Sequence, residues 1–457
     1  MTTAHSIAPD DSSSSSAPRA WQPVDWLILL AVLFFAALLA ANILAACYSR
    51  FVADDFILAV GARRRGPIVG AFWGYCHWTG RYFAGLLSLT VCSLTRDGRP
   101  GWYPALILLT WIACCFAAAR ARFGVLMSLL LATGVPAVTL LISPNVFESA
   151  YWVTGLSCYM GTVLGLSAFA CFLLRLATPT GMIACCLLPI AIAGTTEPGA
   201  LITPVIVLCA LAAGSIRVRP AVPVLISCAL SIALVAFAPG NHVRHGAAGV
   251  HPSLFDAALH GLFDMQLFLS NAATLAHPAR TYTDILHWSG SGWALIALGA
   301  LVMLASTLPS SVAISSRVTL AGLVCGQFAM WAPFFVCRYG TGRPAPSRSM
   351  IIADFALAVM AAIVGLYVGE YARKWSKAVV LMLASGAIVA LAFAGPSVGA
   401  NMARPRAMSQ FATNWDRFDR RIRQGGPIDH IIVNPGDDGT EAVAWQLGAA
   451  QAYYGHR

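Results

Sequence analysis

The chain has 457 residues, of which 58% are hydrophobic and 11% are charged, and its mean hydropathy is +0.72. These values exclude a soluble globular domain and indicate a helical membrane protein with many crossings. The net charge of +10 comes from arginines in short clusters, so it indicates no nucleic-acid partner. Most of the 13 cysteines fall inside apolar runs without metal-ligand spacing, and they support no disulfide or zinc site.

The first 24 residues are polar and rich in Ser, Pro and Ala, which predicts a disordered tail on the cytoplasmic side. The apolar run at 25–47 is too long for the core of a signal peptide, so we expect it to stay as the first crossing. Later apolar runs of comparable length predict further crossings. They lie at 158–177, 181–196, 199–214, 221–238, 291–310, 317–337, 349–370 and 378–396.

Three apolar windows between Arg81 and Ile142 complicate the count. They lie at 82–95, 102–119 and 124–142. An even number of crossings is needed here to return the chain to the side of the first loop, and the first window is short for a span, so we predict that it is interfacial or part of a bent helix. The fold class is therefore all-α: a polytopic helical membrane protein with about 11 transmembrane helices in residues 25–396.

Positive charges predict the sides of the membrane. The cationic turns at 217–219 and 373–377 are separated by an even number of predicted crossings, and the positive-inside rule puts both in the cytoplasm. The polar segments that then share the outer face are 143–159, 195–199, 239–290, 338–348 and everything after residue 396. We expect residues 397–457 to form a small outer-face cap, with an amphipathic stretch at 411–423 and a strand-like run at 430–433.

The first outer loop carries much of the polar chemistry. Two adjacent carboxylates, Asp54 and Asp55, come shortly after the first crossing, and a cationic run at 63–65 follows. Several aromatic residues stand between that run and Tyr82, which is typical of helices that lie in the headgroup layer. We therefore predict interfacial helices in this loop, with the cationic run as an anchor to membrane lipids.

Asp54 or Asp55 is able to act as the general base that transfer to a hydroxyl group requires. Neighbouring carboxylates repel, so one of the pair is expected to orient the other or to hold a cation. Side chains alternate on an extended segment, which predicts that only one of the two faces a cavity. A helix cap is the alternative role. The residues assign no cofactor, and a divalent cation at the pair stays an alternative.

A second acidic position is Glu148, which precedes an apolar helix and has Tyr151, Trp152 and Tyr159 nearby in sequence. Aromatic faces beside a hydrogen-bonding carboxylate suit a sugar, so Glu148 is also a candidate catalytic residue. Glu197 opens another helix, where a carboxylate stabilises the helix amino terminus; capping explains it as well as catalysis does.

Four arginines on the same predicted face are candidates to bind a donor phosphate. They are Arg81, Arg244, Arg343 and Arg348. A guanidinium group binds phosphate through two parallel hydrogen bonds and keeps its charge, which is why arginine is favoured for this role. Two of the four lie in the polar stretch RYGTGRPAPSR, between two apolar runs.

Together these motifs resemble a bacterial branch of the GT-C superfamily of membrane glycosyltransferases. As architecture, the resemblance covers most of the chain. The residues that carry it are Ala53-Asp54-Asp55, Trp78-Thr79-Gly80-Arg81, Glu148 with Tyr151, Trp152 and Tyr159, Glu197, Pro239-Gly240-Asn241 with Arg244, and Arg343 with Arg348.

The resemblance implies an enzyme that takes a sugar from a polyprenyl phosphate or diphosphate at the outer face of the bacterial cytoplasmic (inner) membrane. The acceptor would be a glycan, a glycolipid or a protein. An acidic residue of the first outer loop would act as base or bind a metal. The sugar is expected to contact Tyr151, Trp152, Tyr159 and Asn241.

Three other classes of protein fit parts of the sequence. A lipid or sugar transporter or flippase needs ionisable groups near the bilayer midplane, and the predicted helix centres carry almost none. An O-antigen polymerase or ligase-like enzyme also faces outward but is not marked by an acidic pair after the first span. A structural scaffold would not need acidic, arginine and aromatic clusters on one face.

Overall fold

The structure, a computed structural model, describes residues 22–95, 97–248, 252–273, 291–307, 314–424 and 450–455. These residues form helices and turns and contain no strand. The helices are α1 (Pro23–Cys47), α2 (Asp54–His77), α3 (Tyr82–Leu94), α4 (Trp102–Arg120), α5 (Val125–Ile142), α6 (Val153–Gly155), α7 (Gly161–Leu173), α8 (Pro179–Ala193), α9 (Glu197–Ala212), α10 (Val218–Ala236), α11 (Pro239–Ala248), α12 (Leu254–Ala273), α13 (Ser291–Ser306), α14 (Ser316–Thr341), α15 (Ile351–Ala372), α16 (Lys377–Phe393) and α17 (Gly395–Arg423).

Seven helical segments of the described chain are long and apolar enough to cross a membrane, or eight if the bent pair of α16 and α17 is one span. Two of the seven are composite: Val153–Leu173 joins α6 to α7 through a π-helical turn, and Ser347–Ala372 adds a 3-10 turn before α15. Four further apolar helices, α3, α8, α9 and α13, are shorter. The chain is therefore an all-α, multi-pass membrane protein, as its composition predicts.

The predicted crossings coincide with helices, and their ends differ by a few residues. The largest difference is at 158–177, where the helical span begins earlier, at Val153, and ends at Leu173. It ends early because Thr178 is the N-cap of α8: its hydroxyl accepts a hydrogen bond of 3.1 Å from the N–H of Gly181.

The segment that follows α1 folds into a helical hairpin, α2 and α3, that lies across one end of the bundle. α2 is broken at Gly66, whose φ of +74° is accessible to glycine at little cost, and Pro67 follows. At one end of α3 the Cys92 thiol donates to the backbone oxygen of Asp55, 3.7 Å away. At the other end, two N–H groups donate to the backbone oxygen of Gly194, where α8 returns to the same side. α3 therefore starts and finishes at one end of the bundle.

The outward side of α2 is apolar and cationic. The guanidinium of Arg65 lies 4.3 Å from the centre of the Trp73 ring, and Arg63 donates to the backbone oxygen of Tyr453 at 2.8 Å. Large apolar side chains on this helix are exposed, including Ile68 and Phe72. This combination is typical of a helix that lies in the headgroup layer.

α17 covers the same end of the bundle. The indole N–H of Trp415 donates to the backbone oxygen of Phe51 at 2.9 Å, and Arg50 binds Asp416 through hydrogen bonds of 2.9 and 3.2 Å. The predicted amphipathic stretch at 411–423 is the last part of this helix. The strand-like run at 430–433 and residues 1–21 of the predicted tail lie outside the described residues.

Close packing fixes the end of α1, from which the acidic pair follows. Gly101 precedes α4, and a Cβ atom there would lie 2.1 Å from the backbone oxygen of Cys47. Only glycine allows the two helix ends to approach so closely. α5, the most buried of the long helices at 78%, packs against α1, α4, α13 and α15.

Candidate functional site

Asp55 is fully buried and joins two segments of the chain. Its Oδ1 accepts hydrogen bonds from the N–H and the hydroxyl of Thr154 at 3.1 and 2.7 Å, and its Oδ2 accepts one from the N–H of Val52 at 3.2 Å. Thr154 lies in the first turn of α6, where N–H groups have no partner within the helix, so Asp55 caps it. Burial raises the pKa of Asp55 to about 7, although these hydrogen bonds lower it.

Asp54 has a different environment. It is half-buried, and its carboxylate forms no hydrogen bond with any described residue. Burial raises its pKa and the nearby guanidinium of Arg348 lowers it. The preceding residue, Ala53, has a φ of +44°, a strained conformation that costs about 1–3 kcal/mol outside glycine. Of the acidic pair, Asp54 is therefore the residue able to reach a ligand.

Arg348 lies between Asp54 and a group of carboxylate and aromatic side chains. Its Nη1 donates to Oε2 of Glu148 at 2.9 Å, and its Nε lies 3.4 Å from the hydroxyl of Tyr159. The guanidinium is also 5.9 Å from the centre of the Trp152 ring. We call Asp54, Glu148, Trp152, Tyr159 and Arg348 the Arg348 cluster.

Neighbouring polar groups hold this cluster in place. Asn145 connects its two sides, because its side-chain oxygen accepts from the N–H of Glu148 at 3.0 Å and its Nδ2 donates to the hydroxyl of Ser347 at 3.3 Å. The indole N–H of Trp152 donates to the backbone oxygen of Val52 at 3.2 Å. These contacts tie three distant parts of the chain to one another around the cluster.

Arg81 lies on the other side of Tyr159, with its guanidinium 5.9 Å from the centre of that ring. Its Nε and Nη2 both approach one oxygen of Glu197 at 2.9 Å, and Nη1 of Arg244 lies 3.7 Å from the other. The two arginines thus share one carboxylate at the start of α9. A phosphate bound here would compete with Glu197 for them.

Asn241 positions the turn that precedes Arg81. Its side-chain oxygen accepts from the N–H of Gly80 at 2.8 Å, and its Nδ2 donates to the backbone oxygen of Val235 at 2.9 Å. Both ends of the amide are therefore engaged within the protein. Its expected sugar contact stays a prediction.

Two of the predicted site residues lie apart from the cluster. Tyr151 is buried, and its hydroxyl donates to the side-chain oxygen of Asn42 at 2.7 Å. Arg343 is exposed in the turn after α14, and its side chain forms no ion pair with any described residue. The other predicted residues surround Arg348 or Arg81, or, like Asp55 and Asn241, adjoin them.

Sequence reasoning missed three polar residues near the site. The hydroxyl of Thr154 donates a hydrogen bond to the carboxylate of Asp55. Next to Tyr151, Nη1 of Arg404 donates to the side-chain oxygen of Asn42 at 2.8 Å. Asn42 had a signal, since an amide inside an apolar span is unusual. Arg404 stands in the sequence Arg404-Pro405-Arg406, a basic interruption in the tail that the prediction treated only as part of a cap.

A metal ion does not fit the acidic pair. A hard divalent cation needs several oxygen ligands, whereas both oxygens of Asp55 already accept hydrogen bonds. Within the described ranges, no group of three or more His, Cys, Asp or Glu side chains is arranged to hold an ion. The chemistry is therefore derived from the side chains themselves.

Comparison with known proteins assigns the chain to no family. No protein-family model matches the chain, and a search of the curated proteins gives no match either. The fold and the apolar helices define the chain as a multi-pass membrane protein of helices. Its activity has to be argued from the site alone.

Proposed function

We propose that the protein is a glycosyltransferase that moves a sugar from a polyprenyl-phosphate-linked donor to an acceptor at the outer face of the bacterial cytoplasmic membrane. The observation that carries the proposal is the carboxylate of Asp54, which has no hydrogen-bond partner among the described residues and lies within electrostatic reach of Arg348. Glycosyl transfer from a phosphate needs a base for the acceptor and a cation for the leaving group.

The proposed reaction assigns one task to each charged group. Asp54 accepts the proton of the acceptor hydroxyl while that oxygen bonds to the anomeric carbon of the sugar. The bond from this carbon to the phosphate oxygen breaks, and Arg348 stabilises the negative charge that the phosphate takes up. Glu148 holds Arg348 through the 2.9 Å ion pair. Trp152 and Tyr159 provide aromatic faces for the sugar.

The lipid part of the donor suits the position of the hairpin. α2 has exposed apolar side chains and arginines, and it begins at Asp54. A polyprenyl chain lying in the membrane would pass along this surface and bring its phosphate to the cluster. The acceptor class, whether glycan, glycolipid or protein, is left to the assay described below.

We propose eleven crossings: the seven long spans, α16, and the shorter helices α8, α9 and α13. Because α3 starts and finishes at one end of the bundle, it is not counted. With the amino terminus inside, the proposal assigns the Arg348 cluster and the predicted cap at 397–457 to the outer face.

Reconstituted vesicles test the function. The purified protein is supplied with a panel of polyprenyl-phosphate sugars and with glycan, glycolipid and protein acceptors, and transfer of radiolabelled sugar is measured. We expect one donor to be consumed by the wild-type protein and not by Asp54→Asn. Movement of an intact lipid-linked sugar across the bilayer without transfer would instead identify a flippase, and processive extension of a lipid-linked glycan would identify a polymerase.

A further inference from the structure

A cavity of about 440 Å³ lies between the segment at 143–151 and α17. Its size falls in the range of about 300–1,000 Å³ that is common for small-molecule sites. Polar and apolar groups contribute about equally to the walls, and the apolar part comes from residues such as Pro144, Phe147 and Met408. Two charged side chains also line it, Glu148 and Arg404. Ligand sites usually combine apolar walls with a small number of converging polar groups, and this cavity has a larger polar share.

The two charged side chains of the cavity are not paired with each other. Glu148 is engaged by Arg348 on its other side, at 2.9 Å. Arg404 donates from Nη1 to the side-chain oxygen of Asn42 at 2.8 Å and from Nη2 to the backbone oxygen of Leu140 at 3.1 Å. Neither partner carries a charge, and no described carboxylate forms an ion pair with Arg404. Its positive charge therefore has no counter-ion within the described chain.

A proline after α5 explains why Arg404 forms its hydrogen bond with Leu140. The backbone oxygen of Leu140, near the end of α5, would normally accept from the residue four positions later, but that residue is Pro144, which has no N–H. Arg404 supplies the missing donor. The side-chain oxygen of Asn42 is in turn fixed by the hydroxyl of Tyr151 at 2.7 Å.

The guanidinium of Arg404 also interacts with the hydroxyl of Tyr151. An arginine has five N–H groups, so these contacts leave others able to donate. A half-buried guanidinium without a counter-ion is costly, because a charge taken out of water is stabilised only by a partner of opposite sign. Charge-assisted hydrogen bonds to a phosphate or a carboxylate would satisfy both the charge and the remaining donors.

We propose that this cavity binds an oxyanion carried on a small organic molecule or a lipid head group, with Arg404 as its counter-ion. The site adjoins the proposed reaction centre, because Glu148 lines the cavity and also pairs with Arg348 at 2.9 Å. Arg404 itself lies outside the Arg348 cluster, since its hydrogen bonds go to Asn42 and Leu140. The inference does not depend on glycosyl transfer.

Binding is measured by calorimetry on the full chain in phosphatidylcholine nanodiscs. The probes are glucose 1-phosphate and glucuronate, with glucose as the neutral counterpart. We expect either anion to bind the wild type, and Arg404→Gln to weaken that binding at least about tenfold. Arg404→Lys should restore part of it. The matched control is Arg406→Gln, which removes the same charge from an exposed position two residues away and should bind as the wild type does.

A second variant leaves Arg404 in place. Ala400→Leu adds volume to the cavity wall and should weaken anion binding without changing the charge. Nanodiscs that contain phosphatidylglycerol distinguish the sources of the oxyanion, because a head-group site would show competition between this lipid and glucose 1-phosphate. Equal binding by Arg404→Gln and the wild type, equal binding of glucose and the anions, or unchanged binding by Ala400→Leu would overturn the proposal. Each readout is independent of transfer, so a failure here leaves the proposed function standing.

Discussion

Arg348 and Glu148 form an ion pair of 2.9 Å although they are 200 residues apart in the sequence. The pair joins the segment between α5 and α6 to the 3-10 turn before α15. Its side chains are 38% and 27% exposed, so water and a substrate both reach it. A pair this exposed contributes little to stability, typically about 0–1 kcal/mol. Its effect is better sought in substrate use than in folding.

We predict that Arg348→Gln weakens donor use about tenfold to a hundredfold, the usual loss for a charge-assisted phosphate contact of about 1.5–3 kcal/mol. Glu148→Gln should reduce donor use less, since it removes only the group that orients Arg348. The double variant should resemble Arg348→Gln alone, because the two residues act as one unit. The transfer rate is measured against donor concentration for all three variants. Additive effects of the two substitutions would contradict the coupling.

The same assay on Arg343→Ala tests the predicted phosphate contact of that exposed arginine.

The second prediction concerns Asp54. Asp54→Asn keeps the shape of the side chain but cannot accept the proton of the acceptor, so transfer should fall about a hundredfold to ten-thousandfold with normal expression and membrane insertion. Asp97→Asn, an exposed carboxylate on the same end of the bundle, is the matched control and should retain full activity. Full transfer by Asp54→Asn would rule out the mechanism proposed here.

Asp55 predicts a pH dependence of stability. Its pKa is about 7 in the folded protein and near 3.8 when unfolded, so the folded state favours the neutral carboxyl. The stabilisation is complete below about pH 3.8 and is lost as the pH rises from there to about 7. Thermal unfolding in detergent should show the wild-type Tm falling between about pH 4 and pH 7 and levelling off above that. Asp55→Asn has no titrating group there, and its Tm should change less over this range. Equal slopes for both proteins would contradict the assignment.

Gly101 predicts a packing defect. Gly101→Ala places a methyl group against the backbone oxygen of Cys47, and neither backbone is able to move without displacing α1 or α4. We expect a loss of about 1–3 kcal/mol in the free energy of unfolding, seen as a lower Tm. Gly74→Ala is the control, because a Cβ atom there meets nothing within 4 Å. It should be neutral or slightly stabilising, as alanine is favoured in helices.

The sides of the membrane are testable by labelling single cysteines with an impermeant reagent in a background without the native cysteines. Cysteines at Arg64 and Gln424 should react from outside. Cysteines at Arg217 and Lys374 should react only after the membrane is permeabilised. All four positions are exposed, so access to the reagent depends on side alone. A cysteine at 424 that reacts only from inside would contradict the proposed placement of the site on the outer face.

The helices were largely predictable because an apolar run long enough to cross a bilayer has few alternatives. The extent of the α2–α3 hairpin was less so, although its interfacial placement was expected from the short window at 82–95. Its ends depend on contacts with Asp55 and Gly194, which only the packed bundle brings together.

The site was predictable in its residue types but not in its pairings. Chemistry alone pointed to Asp54, Glu148 and Arg348, whereas the difference between Asp54 and Asp55 depends on Thr154, about a hundred residues further along the chain. Arg404 was missed because its contacts with Asn42 and with α5 appear only in three dimensions. A local sequence pattern does not show which charged residues, far apart in the chain, form contacts with each other in the fold.

The hairpin formed by α2 and α3 has a further consequence for how the chain tolerates change. Because it returns to the end from which it departs, it alters neither the number nor the direction of the helices that follow. Lengthening, shortening or replacing it would leave every later helix in its orientation. The lipid contacts and the substrate contacts of the segment that begins at Asp54 are therefore able to change without a change in topology. The same does not hold for α1 and α4, which pack closely against each other at Gly101.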